Sequence, residues 1–323
     1  MTNKKILYGI IGVGHLGNFH TQQSLKIPAF NLIGVYDTNK VRGGEIASKY
    51  KVKYYANIQS LLKKCDAVSI VTPAIYHYKM AVLALQNNCH IFIEKPFTTN
   101  IQDAQNIMAL AKQNHRLVQI GHIEQFNPVF QKFLSYKPKP LFIEAERLAP
   151  FNKRGTDVDV VLDLMIHDLD LVLSLLDSKL KRVAANGVKI LSQSYDLVNA
   201  RLEFESGSIV NLTASRLSIK PMRKLRVFES NVYSSLDLHN LSISRYFALK
   251  QSSNNKNVIF EYKNKAVTKK IIPIEPQNAL YEELNSFSES ISSQRPIIVD
   301  GHKGIETLKI AFLIQKRINE QKQ

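Results

Sequence analysis

Residues 5–17 read K-I-L-Y-G-I-I-G-V-G-H-L-G, an apolar run of strand length that breaks into Gly12, Gly14 and Gly17. The glycines fall in the spacing G-x-G-x-x-G, and each answers a separate demand. The first permits a tight turn, the second lets the backbone approach a pyrophosphate, and the third lets a helix pack against the strand. The new helix then aims its unpaired N–H groups at the anion. His15 and Leu16 lie inside the loop and share its cofactor-binding assignment. A glycine triplet alone is equally compatible with a plain turn; its place after the first strand and before a helix gives it meaning. The next strand, G-V-Y, ends in Asp37, 20 residues after Gly17. A carboxylate there accepts hydrogen bonds from the adenine ribose hydroxyls and repels a 2′-phosphate, so the pair favours NAD over NADP. The alternative is that Asp37 only shapes a turn.

Outward from this loop the first third of the chain alternates strand and helix. Strands are expected at 5–11, 31–36, 52–55, 67–71, 90–93 and 118–120, with helices at 17–26, 41–50, 58–63, 76–86 and 101–114 between them. Short continuous apolar runs such as V-S-I-V and I-F-I are what strands covered on both faces look like. Repeated βα units imply a doubly wound parallel sheet of Rossmann type. The pattern changes after about residue 122. A helix at 128–135 leads to 141–148, where Phe142, Glu144 and Glu146 alternate with Ile143, Ala145 and Arg147, the mark of a sheet with one polar face. A helix at 159–176 precedes strand candidates at 182–191, 198–204, 208–215, 223–229, 234–237, 242–249, 257–262 and 269–274. These read as a mixed or antiparallel sheet, and helices at 279–292 and 303–321 close the chain. The expected class is α/β: a dinucleotide-binding domain over 1–122, and a substrate and oligomerisation domain over 123–323 whose closing helices are able to pack back on the first.

The bulk numbers bound the function. At 323 residues with 45% hydrophobic content, the chain can bury two cores. No apolar run reaches the ~18 residues of a membrane helix. The amino terminus lacks a signal-peptide pattern, so a cytoplasmic location is expected, with no membrane partner. Cys65 and Cys89 have no zinc-type spacing and read as reduced thiols. The 43 basic against 27 acidic residues give +16, but the lysines are scattered and no recognition motif accompanies them. Nucleic acid is therefore not an expected partner; an anionic small substrate is.

Two further stretches carry ionisable groups where chemistry can use them. The strand at 90–93 ends in Glu94-Lys95-Pro96, at the carboxyl edge where open α/β sheets bind ligands. Taken bare, this is a solvated turn or a catalytic lysine beside a cofactor contact, and the X-Pro bond can be cis. The preceding strand ends in T-P-A-I-Y-H, placing Thr72 and Pro73 beside the nicotinamide end of a cofactor, with His77 as cofactor contact or helix terminus. On the 159–176 helix, Asp163, His167 and Asp170 fall at i, i+4 and i+7 of a greasy segment and share one face. That arrangement is able to move a proton, hold a metal or do nothing.

The motifs in this order, G-x-G-x-x-G, E-K-P and D-x-x-x-H, resemble the Gfo/Idh/MocA oxidoreductases over essentially the whole chain. The resemblance implies a Rossmann domain, a carboxy-terminal α/β domain whose large open sheet supports dimers or tetramers, and NAD(P)-dependent oxidation of a sugar or polyol hydroxyl. It makes Lys95 the catalytic lysine, with Asp163 and His167 the pair in the second domain. A narrower likeness is to the UDP-N-acetylglucosamine 3-dehydrogenase subgroup. It is carried by G-H-I-E-Q-F-N-P at 121–128, R-G-T-D-V-D-V-V-L-D-L-M-I-H-D-L-D at 154–170, and A-S-R with P-M-R-K-L-R at 214–226. It implies oxidation of the substrate's 3-hydroxyl to a ketone, which a partner aminotransferase then aminates for lipid A. Gln125 departs from the arginine of the subgroup's E-R-F-N-P.

On this reading His167 takes the hydroxyl proton, Asp163 orients the imidazole, and Lys95 hydrogen-bonds the reacting oxygen. An imidazole suits the role because its ordinary pKa lies near neutrality. His122 and Asn127 are candidates to reach the substrate. Arg147, Arg154, Arg216 and Arg223 are candidates for its phosphates, since guanidinium groups pair with phosphate in a bidentate fashion. Asp168 and Asp170 read as structural. The rival readings are a dehydrogenase of a free sugar, inositol or sugar acid, a non-catalytic NAD-binding sensor, and a metal-dependent hydrolase using Asp163, His167 and a third ligand such as His122. No metal is expected in the favoured reading.

Overall fold

A computed structural model describes residues 4–152, 158–250, 258–293 and 295–320. The chain opens with β1 (Ile6–Ile11), α1 (His15–Ser24), β2 (Phe30–Tyr36), α2 (Lys40–Tyr50), β3 (Lys53–Tyr54), α3 (Ile58–Leu62) and β4 (Ala67–Ile70). It continues through α4 (His77–Gln86), β5 (His90–Glu94), α5 (Ile101–Gln113) and β6 (Val118–Gly121). Then come α6 (Pro128–Leu134), β7 (Phe142–Leu148), a π-helical turn over Val161–Met165, and α7 (Ile166–Leu175). Then follow β8 (Leu180–Val188), β9 (Leu197–Phe204), β10 (Ile209–Ser215), β11 (Met222–Phe228), β12 (Val232–Asp237), β13 (Ser242–Lys250), β14 (Val258–Tyr262) and β15 (Lys265–Ile272). Helices α8 (Ala279–Ser293) and α9 (Gly301–Glu320) end the chain.

Two compact units result, one formed by residues 1–126 with 278–308, the other by 127–277 with 309–323. In the first, six strands among the described residues pair in the order β3-β2-β1-β4-β5-β6, all parallel. The order reverses between β1 and β4, the point at which such sheets open a ligand crevice beyond their carboxyl ends. β4 is fully buried along A-V-S-I, as a strand covered on both faces must be. α8 belongs to this unit because its apolar stripe is needed there. Leu284 and Phe287 are completely buried with Tyr8, Ile10 and Phe92, and the Phe92 and Phe287 rings meet edge to face.

In the second unit, nine strands among the described residues pair in the order β14-β15-β13-β12-β11-β7-β10-β9-β8. Only the β7–β10 pair among them is parallel. One face is apolar, with Ile143, Ala145, Val198, Leu202, Leu212 and Leu225 buried. On β7 and β11, Glu144 and Glu146 pair with Arg226 at 3.0 and 3.1 Å. A line of rings from Phe142 through Phe228 and Tyr233 to Tyr246 runs across four strands. Among the described residues, no helix is long and apolar enough to cross a membrane.

His90, at the start of β5, couples the first unit to pH. Its Nδ1 accepts from the Leu117 amide at 3.0 Å, and Nε2 lies 3.2 Å from an Arg116 nitrogen. Burial and then the Arg116 charge push its pKa down to about 4. Between about pH 6.5 and that value the unfolded chain binds the proton and the folded one does not, so stability falls as pH drops through this window. Replacing His90 by Gln should flatten the slope of Tm against pH between 6.5 and 4. An unchanged slope would show that the group does not titrate as described.

Candidate functional site

The glycine loop is shaped by contacts of its own backbone. Gly12 takes φ +89°, and a β-carbon there would lie 2.7 Å from the Val71 carbonyl oxygen. At Gly17 a β-carbon would fall 2.0 Å from the Gly12 carbonyl oxygen, so α1 starts in contact with the strand it leaves. Gly14 is different: a β-carbon there meets nothing within 4 Å. It caps α1 with no side-chain hydrogen bond, and the first turn has no acidic residue. His15 and Leu16 are exposed beside it. The loop therefore presents bare helix amides beside an open, side-chain-free patch, the arrangement that receives a phosphate group.

Asp37 is locked against this loop. Its Oδ2 accepts from the Val13 amide and its Oδ1 from the Asn39 amide, both at 2.8 Å. It thus shapes a turn and also presents a carboxylate at the end of β2; the two readings are not exclusive. Arg42 completes the loop's rear, donating from Nε to the Val13 carbonyl at 3.0 Å. Across the switch point, Thr72 keeps a buried hydroxyl oxygen that has no hydrogen-bond partner. These features fit a dinucleotide: a cradle at Gly14, an acid just past the end of β2, and a buried polar atom at Thr72.

The Lys95–Pro96 bond is cis, and it follows directly on the end of β5. His77 is not turned toward an open cleft. It is 1% exposed, with Nδ1 2.9 Å from the Pro96 carbonyl and Nε2 2.8 Å from the Thr72 carbonyl. Burial lowers its pKa despite these bonds. Its observed work is to tie together the two strand-end turns that carry Thr72 and Lys95, and Pro73 lies exposed between Thr72 and the next helix. His122 is buried just past β6, and Gln125 is buried in the 3-10 turn over Ile123–Phe126 that follows.

In the second unit the helix expected over 159–176 is not uniform. Asp159 starts it, accepting from the Val161 and Leu162 amides at 3.0 and 3.3 Å. The next turn, Val161–Met165, is a π-helix carrying Asp163, and α-helix resumes at Ile166. Wide turns of this kind often accompany functional sites. Asp163, Leu164 and His167 are partly exposed, whereas Asp168 and Asp170 are buried. The face shared by three ionisable groups in the sequence is therefore divided, and Asp170 goes with the core.

The arginine candidates separate in the same way. Arg147 projects from the apolar face of β7 and forms a buried fork with Asp168, at 3.0 and 2.7 Å. Arg216 is 4% exposed; it donates to the Val158 carbonyl at 2.7 Å and lies 3.9 Å from Asp196. Asn127 caps α6 through Val129 and donates to the Leu238 carbonyl at 3.1 Å. Arg223 stands exposed opposite Arg147 in the β11–β7 register. Arg154 lies outside the described residues. Among the described residues no group of three or more His, Cys, Asp or Glu is placed to hold a metal ion. The sequence reading did not pick out His20, whose ring lies 2.8 Å from Glu94. Its only signal was a polar residue three positions past Gly17 on a helix side that the fold buries.

Comparison with known proteins follows this geometry. A family described as oxidoreductases with an NAD-binding Rossmann fold matches residues 6–122, and the GFO/IDH/MocA C-terminal domain matches 115–231. UDP-N-acetylglucosamine 3-dehydrogenase of Acidithiobacillus ferrooxidans is 36% identical over 95% of both chains. This chain belongs to the Gfo/Idh/MocA oxidoreductases. A solved structure of that dehydrogenase superposes with a TM-score of 0.91, covering 98% of each chain at 34% identity. The family also reaches the scyllo-inositol 2-dehydrogenase (NAD(+)) of Bacillus subtilis, 26% identical over 65% of this chain and 67% of that one. The Gfo/Idh/MocA chain described here is thus an oxidoreductase with an NAD-binding Rossmann domain.

Two predictions follow from these contacts. Gly14→Ala should leave Tm unchanged yet weaken NADH binding about tenfold, or about 1.4 kcal/mol, in a fluorescence titration. Gly17→Ala should lower both, and equal behaviour of the two variants would contradict the geometry. Removing one partner of the buried fork, by Asp168→Ala, should cost about 3–5 kcal/mol in urea unfolding. A loss under 1 kcal/mol would mean the pair is not holding α7 to the sheet.

Proposed function

We propose that this oxidoreductase is an NAD-dependent dehydrogenase that oxidises the 3-hydroxyl of UDP-N-acetylglucosamine to a ketone. The observation that carries the reading is the end-to-end similarity to the Acidithiobacillus enzyme of that name. It gains from the Asp37 carboxylate beside the glycine loop, a group that repels the extra phosphate of NADP. NAD, when bound, supplies the carbon that accepts hydride.

The chain's own residues do the remaining work. The glycine loop and the bare start of α1 hold the pyrophosphate, and Asp37 receives ribose hydroxyls on the lone pairs its amide partners leave open. Lys95 hydrogen-bonds the reacting oxygen and stabilises the charge that grows there as its proton leaves. His167 takes that proton at a ring nitrogen, and Asp163 orients the imidazole and favours its cation. Of the arginine candidates among the described residues, Arg223 is the exposed one and can meet a phosphate from solvent. The half-exposed ring line on the large sheet is the surface by which copies would associate as dimers or tetramers. A second reading, oxidation of a free inositol, draws on the inositol dehydrogenases among the relatives.

NADH formation followed by absorbance with UDP-N-acetylglucosamine, free N-acetylglucosamine and myo-inositol tests the substrate. Turnover confined to the nucleotide sugar is expected, and turnover only with myo-inositol would replace the first reading by the second. Lys95→Ala and His167→Ala should each lower kcat by about 10²–10⁴-fold while NADH still binds. Near-normal turnover in both variants would remove them from the mechanism.

A further inference from the structure

The stretch D-T-N-K-V-R at 37–42 joins β2 to the first turn of α2, and its polar groups close a ring of hydrogen bonds on the glycine loop. Asp37 Oδ1 accepts from the Asn39 amide at 2.8 Å. Asn39 Oδ1 accepts in turn from the Arg42 amide at 3.0 Å and so caps α2. Arg42 Nε donates to the Val13 carbonyl at 3.0 Å, and the Val13 amide donates back to Asp37 Oδ2 at 2.8 Å. Every member lies in the first unit. Gly43 lets α2 lie close on β3, since a β-carbon there would run into the Tyr54 ring. At the far end of α2, the Tyr50 hydroxyl reaches Asn18 Oδ1 on α1 at 3.1 Å.

Both backbone groups of the buried Val13 are thus held from outside the loop, its N–H by a carboxylate and its C=O by a guanidinium. Peptide geometry turns this hold into an aim. In a planar trans peptide the C=O and the following N–H point opposite ways. With the Val13 carbonyl drawn to Arg42, the Gly14 N–H must face away from that side chain. Nη2 of the same guanidinium lies 3.5 Å from the Gly14 carbonyl and biases the His15 N–H alike. A loop that binds phosphate needs its amides outward and its carbonyls turned back, because a carbonyl oxygen repels the anion. The remaining contact of the guanidinium, Nη1 to Glu45 at 3.5 Å, joins side chains 38% and 60% exposed and holds little. The Val13 carbonyl is therefore the partner that fixes Arg42.

We propose that Arg42 is a positioning residue for the pyrophosphate loop. By holding the Val13 carbonyl it keeps the amides of Gly14 and His15 aimed outward before the dinucleotide arrives, and it does not itself touch the cofactor. The inference rests on the reading of the glycine loop as a dinucleotide site, and not on the identity of the sugar.

Two readouts on the full chain test it. Arg42→Met should weaken NADH binding about five- to tenfold in a fluorescence titration, the size expected of one hydrogen bond from a charged group. In the same variant without cofactor, deuterium exchange of the backbone at 13–16 should speed up, while exchange in β5 stays as in the wild type. Arg42→Lys, which keeps one donor, should fall between the two, and it covers the case in which the methionine variant does not fold. Glu45→Ala should leave both readouts unchanged. Unchanged NADH affinity in the Arg42 variants would overturn the proposal. So would weaker binding with unchanged exchange at 13–16, since the guanidinium would then act on the cofactor directly. Exchange raised across the whole first unit would likewise overturn it, by showing that Arg42 holds the fold and not the loop. A wild-type chain that binds no NADH would sink the dinucleotide reading instead, and exchange at 13–16 would still decide whether Arg42 holds Val13.

Discussion

The approach of Gly17 to the Gly12 carbonyl is the contact on which the first unit is hung. A chain that passes from β1 to α1 through so few residues must bring helix and strand to van der Waals distance, and only a residue without a β-carbon allows it. Once α1 leaves in that direction, its free amides open at the carboxyl edge of the sheet. The same edge collects Asp37 from β2, Thr72 just past β4 and Glu94 from β5, because every strand is parallel. Strand direction, set early and locally, thus gathers groups far apart in the chain.

The second unit solves a different problem: how a helix rich in acids can cover an apolar sheet. Asp159 caps the start, and Asp168 is neutralised by Arg147 rising from the sheet itself. Asp163, Leu164 and His167 form a partly exposed strip on the same segment. The π-helical turn falls on this strip, so the departure from regular helix and the candidate proton-handling residues coincide.

Much of this was legible before any coordinates. The alternation of strand and helix, the change of pattern near residue 122, the glycine loop and the E-K-P strand end are local signals read from periodicity and residue type. Element ends shifted by one to four residues, as at β15, which begins at Lys265. The partnerships were not legible. Arg147 and Arg216 look alike as cations, yet each is buried against an acceptor, 21 residues away for one and 58 for the other. His77 reads as a cofactor contact until its two nitrogens are found on the Thr72 and Pro96 carbonyls. His20 showed only as a polar residue three positions past Gly17, because its partner Glu94 lies 74 residues on.

Residue type and spacing are properties of the chain, so they determined the class of fold, the dinucleotide loop and which side chains were chemically able to move a proton or hold a phosphate. Which of those side chains are spent inside the protein depends on what sits against them. That was decided only when the sheets formed, because burial and hydrogen-bond partners are set by neighbours in space. The same physics that makes an unpaired buried charge costly assigns Asp168, Asp170 and Arg147 to structure. Asp163 and His167, by contrast, stay partly exposed on the same helix.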